Sequence, residues 1–229
     1  MTMPTTEQKA STPRQRVPAS ERRDALIEAA VHEFAHGGLH GTPVDRIARR
    51  VGVAQPYVFS LFGSKRELFL AAVERGFELI ASTFTKAAAE FDPSTAPPDV
   101  DVLVTMGFAY VELLRSDRDY LMLQHQSYAA CDDEVIRHRV RALYAGLVAH
   151  VERLSGADAE RIDEFFRYGM WLNVAAAMGV EDLSAGCDWV RAENAGIDAS
   201  EAGADAGSVG GGGSPAPGRP KAQAGRVSS

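Results

Sequence analysis

The chain has 229 residues, 45% of them hydrophobic and 24% charged, which is enough apolar material for a real core and too much for a disordered chain. A formal charge of −7 argues against nucleic acid as a partner until the charge is located. Residues 1–66 carry ten Lys and Arg against six Asp and Glu, whereas residues 67–229 carry fourteen against twenty-five, so a basic head sits on an acidic body, as a separate nucleic-acid-binding domain would produce. No run approaches the ~18–20 apolar residues of a membrane span. Cys131 and Cys187 lie too far apart for metal or redox spacing and read as free thiols in a reducing cytoplasm.

Residues 1–19 are polar and interrupted by Pro4, Pro13 and Pro18, the pattern of a flexible basic arm. Lys9, Arg14 and Arg16 have no apolar stretch behind them, so the arm is not a secretory signal; it either reaches a neighbouring groove or hangs free. A helix is expected from Ser20, a fair N-cap, to Ala35, burying Leu26, Ala29, Ala30 and Phe34 and stopped by Gly37 and Gly38. His32 and His36 stand four apart on it, with His40 beyond, which is metal-ligand spacing. No acidic partner is placed beside them in the sequence, and the two glycines break the helix before His40, so the expectation is solvent-facing histidines and no metal.

The stretch from Thr42 to Leu68 carries the most information. Thr42 is a candidate cap and Pro43 suits a first helical turn, where its missing N–H would be unpaired anyway. Val44, Ile47, Ala48 and Val51 then fall at i, i+3, i+4 and i+7 on one buried face. Gly52 marks a sharp turn and Val53 plugs the corner. A second short helix, Gln55 to Phe62, has Val58, Phe59 and Phe62 to pack inward, and Gln55, Pro56, Tyr57, Ser60 and Leu61 to present outward. Two short helices joined through a glycine turn are a helix-turn-helix, whose second helix enters the DNA major groove. Gln pairs with adenine, Ser reaches several base edges, and Pro56 and Tyr57 offer apolar contact to a thymine methyl or to sugars. The other reading of Tyr57 is packing within the head. Lys65 and the backbone N–H groups around Thr42 and Pro43 suit a phosphate; otherwise Lys65 is a solvated turn residue.

Ser64 and Glu67 form a capping box for a long helix through about Phe91. The run 92–98, rich in proline, breaks the chain. Four helical segments follow, about 99–115, 117–129, 132–154 and 158–180, with Asp117, Asp132 and Asp158 as acidic starts. A short helix is expected near 181–194. Residues 195–229 are a tail of Gly, Ala, Ser and Pro with too little apolar surface to order itself; its four consecutive glycines are no phosphate loop, lacking a preceding strand and a following Gly-Lys.

The run from Arg22 resembles the N-terminal domain of TetR-type transcriptional repressors. The resemblance rests on Leu26-Ile27-Glu28-Ala29-Ala30, Phe34, Gly37 to Leu39, Thr42 to Ala48, Gly52-Val53, Phe59, Phe62, Ser64 to Leu68 and Ala71. It is specific over roughly residues 20–75; beyond that only length, helix content and layout agree. Two positions depart from the pattern: Phe59 stands where Tyr is usual, and Ala54 replaces the usual Ser or Thr cap, a change costing that helix start ~1 kcal/mol. The resemblance implies an all-α protein with an N-terminal three-helix DNA-binding domain at 20–66 and a ligand-binding and dimerisation domain at 67–194. It also implies a homodimer released from double-stranded operator DNA by a small molecule.

Phe165 to Gly179 is apolar almost all round, so it reads as buried on several sides. Gly169 and Ala176 allow close approach, either at a twofold dimer seam or in a monomer core; operator symmetry favours the seam. Met106, Phe108, Tyr110, Tyr120, Met122, Gln124, Tyr128, Tyr144 and Phe165 are candidates to line an effector pocket, and Arg118 or His125 to orient an anion, although the same residue types fill any helical core. There is no nucleophile elbow, dinucleotide fingerprint or metal cluster, so no enzyme and no cofactor is expected. The reading is a cytoplasmic DNA-binding regulator, most simply a repressor. Its rival keeps the fold and drops the DNA: a ligand-binding or protein-interaction module with a degenerate head.

Overall fold

A computed structural model describes residues 18–180, and among these residues all regular structure is α-helical. The basic arm up to residue 17, the expected helix near 181–194, the tail 195–229 and Cys187 lie outside the described residues. The helices are α1 (Ala19–Gly41), α2 (Val44–Val51), α3 (Gln55–Phe62), α4 (Lys65–Glu90), α5 (Val102–Ser116), α6 (Arg118–Ala129), α7 (Glu134–Ser155) and α8 (Ala159–Met178).

Side-chain caps set most of the starts. Ser64 accepts from the Glu67 amide, as the capping box requires. Asp101, Asp117, Asp133 and Asp158 accept from the amides of Val104, Tyr120, Val135 with Ile136, and Arg161, opening α5 to α8. At α7 the cap is Asp133 rather than Asp132, whose carboxylate instead accepts from the Asp133 amide. Gly52 ends α2 at φ 72°, ψ 32°, the left-handed conformation that a turn this tight demands.

One local expectation is corrected. Thr42 does not cap α2: Pro43 is the cap residue, without a side-chain bond, while Thr42 is buried and its hydroxyl donates to the Glu33 carbonyl at 3.0 Å. The glycine pair does interrupt α1, as expected, though two residues later than Ala35. The helix breaks geometry at Gly38 (φ 62°, ψ −179°) and resumes to Gly41.

Helix α4 is the axis of the fold and packs on α1, α5, α6 and α7. Its N-terminal half buries Leu68, Phe69 and Ala72, and Phe69 meets Phe34 of α1 edge-on with ring centroids 5.1 Å apart. Its C-terminal half buries Phe77, Ile80 and Phe84. At ~1.5 Å per residue, its 26 residues reach about 39 Å, from the turn after α3 into the bundle of α5 to α8. Helix α6 lies along α1, the second route between head and bundle.

Candidate nucleic-acid interface and effector pocket

Val58 and Phe62 anchor α3 to the head. Gln55, Pro56 and Ser60 stand exposed, as an outward surface requires, while Tyr57 and Leu61 are half-buried. Phe59, expected inside, is 39% exposed and joins that outer surface. The two inward positions the small head can fill, at i and i+4, are taken by Val58 and Phe62, and an eight-residue helix has no third. The Ser60 hydroxyl donates to the Tyr57 carbonyl at 2.7 Å within α3. No side-chain bond caps α3 at Ala54; the Tyr57 amide donates to the Ala54 carbonyl at 3.0 Å, and Pro56 has no amide hydrogen to satisfy.

Lys65 lies beside the turn that opens α2: its ammonium donates to the His40 carbonyl at 3.2 Å, and partial burial draws it below the usual lysine value. One of its three donors is thereby used. Pro43 is exposed at the α2 start, whereas the side chain of its neighbour Thr42 is enclosed, so any phosphate contact at Thr42 runs through backbone.

Sequence reasoning missed Glu33. It is a buried carboxylate whose oxygens face Arg50 at 3.1 Å and Arg46 at 3.6 Å, tying α1 to α2. Arg49 pairs with Asp45 at 3.0 Å on the exposed side of α2. Arg23 lies over the Phe62 ring, 5.1 Å from its centroid.

A cavity of about 760 Å³ opens between α4, α5, α7 and α8. Ile80, Phe84, Leu103, Gly107, Phe108, Tyr110, Gln124, Tyr144 and Phe165 line it, with Asn173 at its inner end. Tyr110 donates to Asn173 Oδ1 at 2.7 Å, with Gln124 Oε1 at 3.3 Å, and the Gln124 amide donates to the Tyr128 hydroxyl at 2.9 Å. Burial raises both phenols, Tyr110 strongly and Tyr128 to about 12, so the polar end of the cavity is neutral. Of the expected lining residues, Phe108, Tyr110, Gln124, Tyr144 and Phe165 are brought together there, and Tyr128 stands one hydrogen bond behind. Met106 is wholly buried core instead. Tyr120 turns to α1, donating to Glu28 at 3.0 Å. Arg118 and His125 are no anion clamp: Arg118 donates to the Ala176 and Ala177 carbonyls at 3.4 and 3.1 Å, and His125 Nε2 lies 3.2 Å from the Asn173 carbonyl.

Helix α8 is not buried on several sides within the chain. Ile162, Leu172, Asn173 and Ala175 are buried, while Tyr168, Trp171, Val174 and Met178, at near-helical spacing, are exposed, as is Phe108 of α5. A Cβ on Gly169 would lie 3.9 Å from the Tyr110 ring, so that glycine faces α5 of its own chain, and Ala176 is half-buried.

The histidines also differ from expectation, because the fold supplies the acidic partner that the sequence does not. Asp119, at the start of α6, places Oδ2 2.6 Å from His32 Nδ1 and Oδ1 3.8 Å from His36 Nδ1.

Residues 26–72 match the sequence signature of bacterial regulatory proteins of the tetR family. The HTH-type transcriptional activator FasR of Mycolicibacterium smegmatis is 39% identical over 72 residues, 31% of this chain and 33% of that protein. The HTH-type transcriptional repressor SCO4008 of Streptomyces coelicolor is 32% identical over 90 residues, 39% of this chain and 44% of that protein. This chain thus spans less than half the length of either relative. In fold, a TetR-like transcriptional regulator from Rhodococcus sp. RHA1 superposes with a TM-score of 0.52 at 23% identity, covering 75% of this chain and 87% of that one. Among the described residues no helix is long and apolar enough to cross a membrane. The helix-turn-helix thus carries the tetR family signature in sequence, and the helices behind it share the fold of a TetR-like regulator.

Proposed function

We propose that this protein is a homodimeric repressor that binds an operator through α3 and leaves it when a small molecule occupies the cavity between α4, α5, α7 and α8. The observation that carries the DNA reading is the outer face of α3. Gln55, Pro56, Phe59 and Ser60 stand in the open on a helix held from behind by Val58 and Phe62. A helix that leaves part of an aromatic ring exposed beside a Gln and a Ser has a surface suited to base edges and thymine methyls. The relatives include both a named activator and a named repressor, and the heads of both dock alike. Repression is the simpler case, because a bound dimer blocks a promoter without further contacts. The exposed row of Tyr168, Trp171, Val174 and Met178 supports α8 as the twofold seam, with Ala176 at its edge and Gly169 serving the intrachain contact with α5.

The chemistry of the cavity favours an effector with an apolar body and one neutral hydrogen-bonding group. Its walls are aromatic and aliphatic, its polar end is Tyr110, Gln124 and Asn173, and the arginines at its rim are taken up by Asp101 and Asp163. Phe84 lines the cavity near one end of α4 and Lys65 begins the other, so a wedge against Phe84 would tilt the lysine and the turn beside it.

Purified protein and the DNA upstream of its own gene test the reading. Salt-sensitive, sequence-selective binding that Gln55→Ala and Lys65→Ala weaken is expected. Binding absent at low salt, with folded dimer present, selects the rival module with a degenerate head.

A further inference from the structure

We propose that His32, His36 and Asp119 form a binding site for a divalent transition cation of the zinc type, bridging α1 and α6. The two histidines lie one turn apart on the same face of α1, with ring centroids 4.6 Å apart. Asp119 comes from a helix 87 residues further along the chain and straddles both rings, 2.6 Å from one and 3.8 Å from the other. One donor atom from each residue falls within 4.8 Å of the other two. Two imidazoles and a carboxylate are the donor set of open zinc sites, with a fourth position left to water.

The local hydrogen bonding points the same way. His36 Nδ1 donates to the His32 carbonyl at 2.8 Å, which fixes the ring and leaves the Nε2 lone pair free. An imidazole steadied through its other nitrogen by a carbonyl is the arrangement that metal-binding histidines use. Bonds of ~2.0–2.1 Å require donor atoms about 3.3–3.5 Å apart in a tetrahedral set, so the His32–Asp119 contact must open and the wider separations must close, each by about 1 Å. The side chains of His32, His36 and Asp119 have the freedom to do so, being 37%, 63% and 34% exposed. Without a cation the carboxylate bonds His32. With one, that contact is exchanged for coordination, and α1 and α6 become joined through a single ion. The site is independent of the reading of α3 and of the cavity.

The test uses the full chain with Co²⁺ and Zn²⁺. One Co²⁺ per chain is expected, with visible ligand-field bands and no thiolate charge transfer, displaced by Zn²⁺. Zn²⁺ should also raise the thermal midpoint, since a ligand of the folded state stabilises it. His36→Ala removes a largely exposed side chain and should weaken binding by at least about tenfold, as should Asp119→Asn, each abolishing the thermal shift. Equal affinity in wild type and both variants would place the ion on other histidines or cysteines and overturn the site. So would the absence of stoichiometric Co²⁺ binding at micromolar concentration, which would leave the cluster an ion pair only.

Discussion

Replacing Gly38 by Ala should destabilise the protein, chiefly through its backbone. Gly38 sits at φ 62°, ψ −179° inside α1, a region that L-residues with a Cβ scarcely visit. Holding alanine there costs about 1–3 kcal/mol in backbone strain. A second term is steric: the new Cβ would fall 2.6 Å from Gln126 Oε1 on α6, with Gln126 Cδ at 3.3 Å. That oxygen is the far end of a flexible side chain and can swing aside, so the backbone term dominates. For a domain of about 150–250 residues, each kcal/mol moves the thermal midpoint by ~2–4 °C, which predicts a fall of about 2–12 °C. The double mutant decides between the terms. Gln126→Ala in the Gly38→Ala background removes the clash and leaves the dihedral, and it should restore little. A Gly38→Ala protein within about 0.5 kcal/mol of wild type, or one fully rescued by Gln126→Ala, would show that the contact rather than the conformation requires glycine.

Lys65→Ala should weaken operator binding similarly across sequences and reduce the slope of log affinity against log salt by about 1, as loss of one phosphate contact does; identical slopes would remove Lys65 from the contact set. Gln55→Ala should relax base choice at one position per half-site at a cost of ~1–3 kcal/mol, and a binding-site selection returning an unchanged consensus would exclude it from the readout. Trp171→Glu should yield a folded monomer by sedimentation, since a twofold seam would bury two such charges close together without partners; an unaltered dimer would move the seam off α8. The Ile136 amide, with Arg66 at 3.2 Å, holds the Asp133 carboxyl below its ordinary value. Its contribution to stability is therefore full above about pH 4 and lost as pH falls through the lowered value, and Asp133→Asn should flatten that acid limb while keeping a cap. An unchanged limb in the variant would assign the acid sensitivity to other carboxylates.

The sequence made the helices legible because their ends are chemically marked. Ser64 with Glu67, and the aspartates before α6 and α8, announce starts that hydrogen bonding alone explains. Adjacent aspartates defeated the same logic by one residue at α7, where either could cap and the chain's entry angle chose Asp133. The helix-turn-helix was legible from Gly52 and the spacing of Val44, Ile47 and Ala48. The phase of α3 was not, since three apolar candidates in eight residues do not say which one the head leaves outside. Nothing local marks Glu33 as buried, because its arginines lie 13 and 17 residues on and across a turn. Asp119 gave no signal beside the histidines for the same reason at greater range. The cavity was half legible: aromatic and Met positions name the bundle interior, but whether a side chain meets a void or a neighbour depends on helix rotation, which put Met106 in the core and Tyr110 at the cavity wall.

Four consecutive residues at the start of α6 each hold something different. Asp117 caps its own helix, Arg118 grips the last carbonyls of α8, Asp119 reaches the histidines of α1, and Tyr120 donates to Glu28 of α1. None of these ties tolerates much sliding, because hydrogen bonds weaken steeply with lost alignment. Small thermal displacements of α6 are therefore resisted, and a displacement large enough to break one tie loosens the others together. The start of α6 is therefore seated against α1 and α8 at once, and its position against one cannot change without disturbing the other.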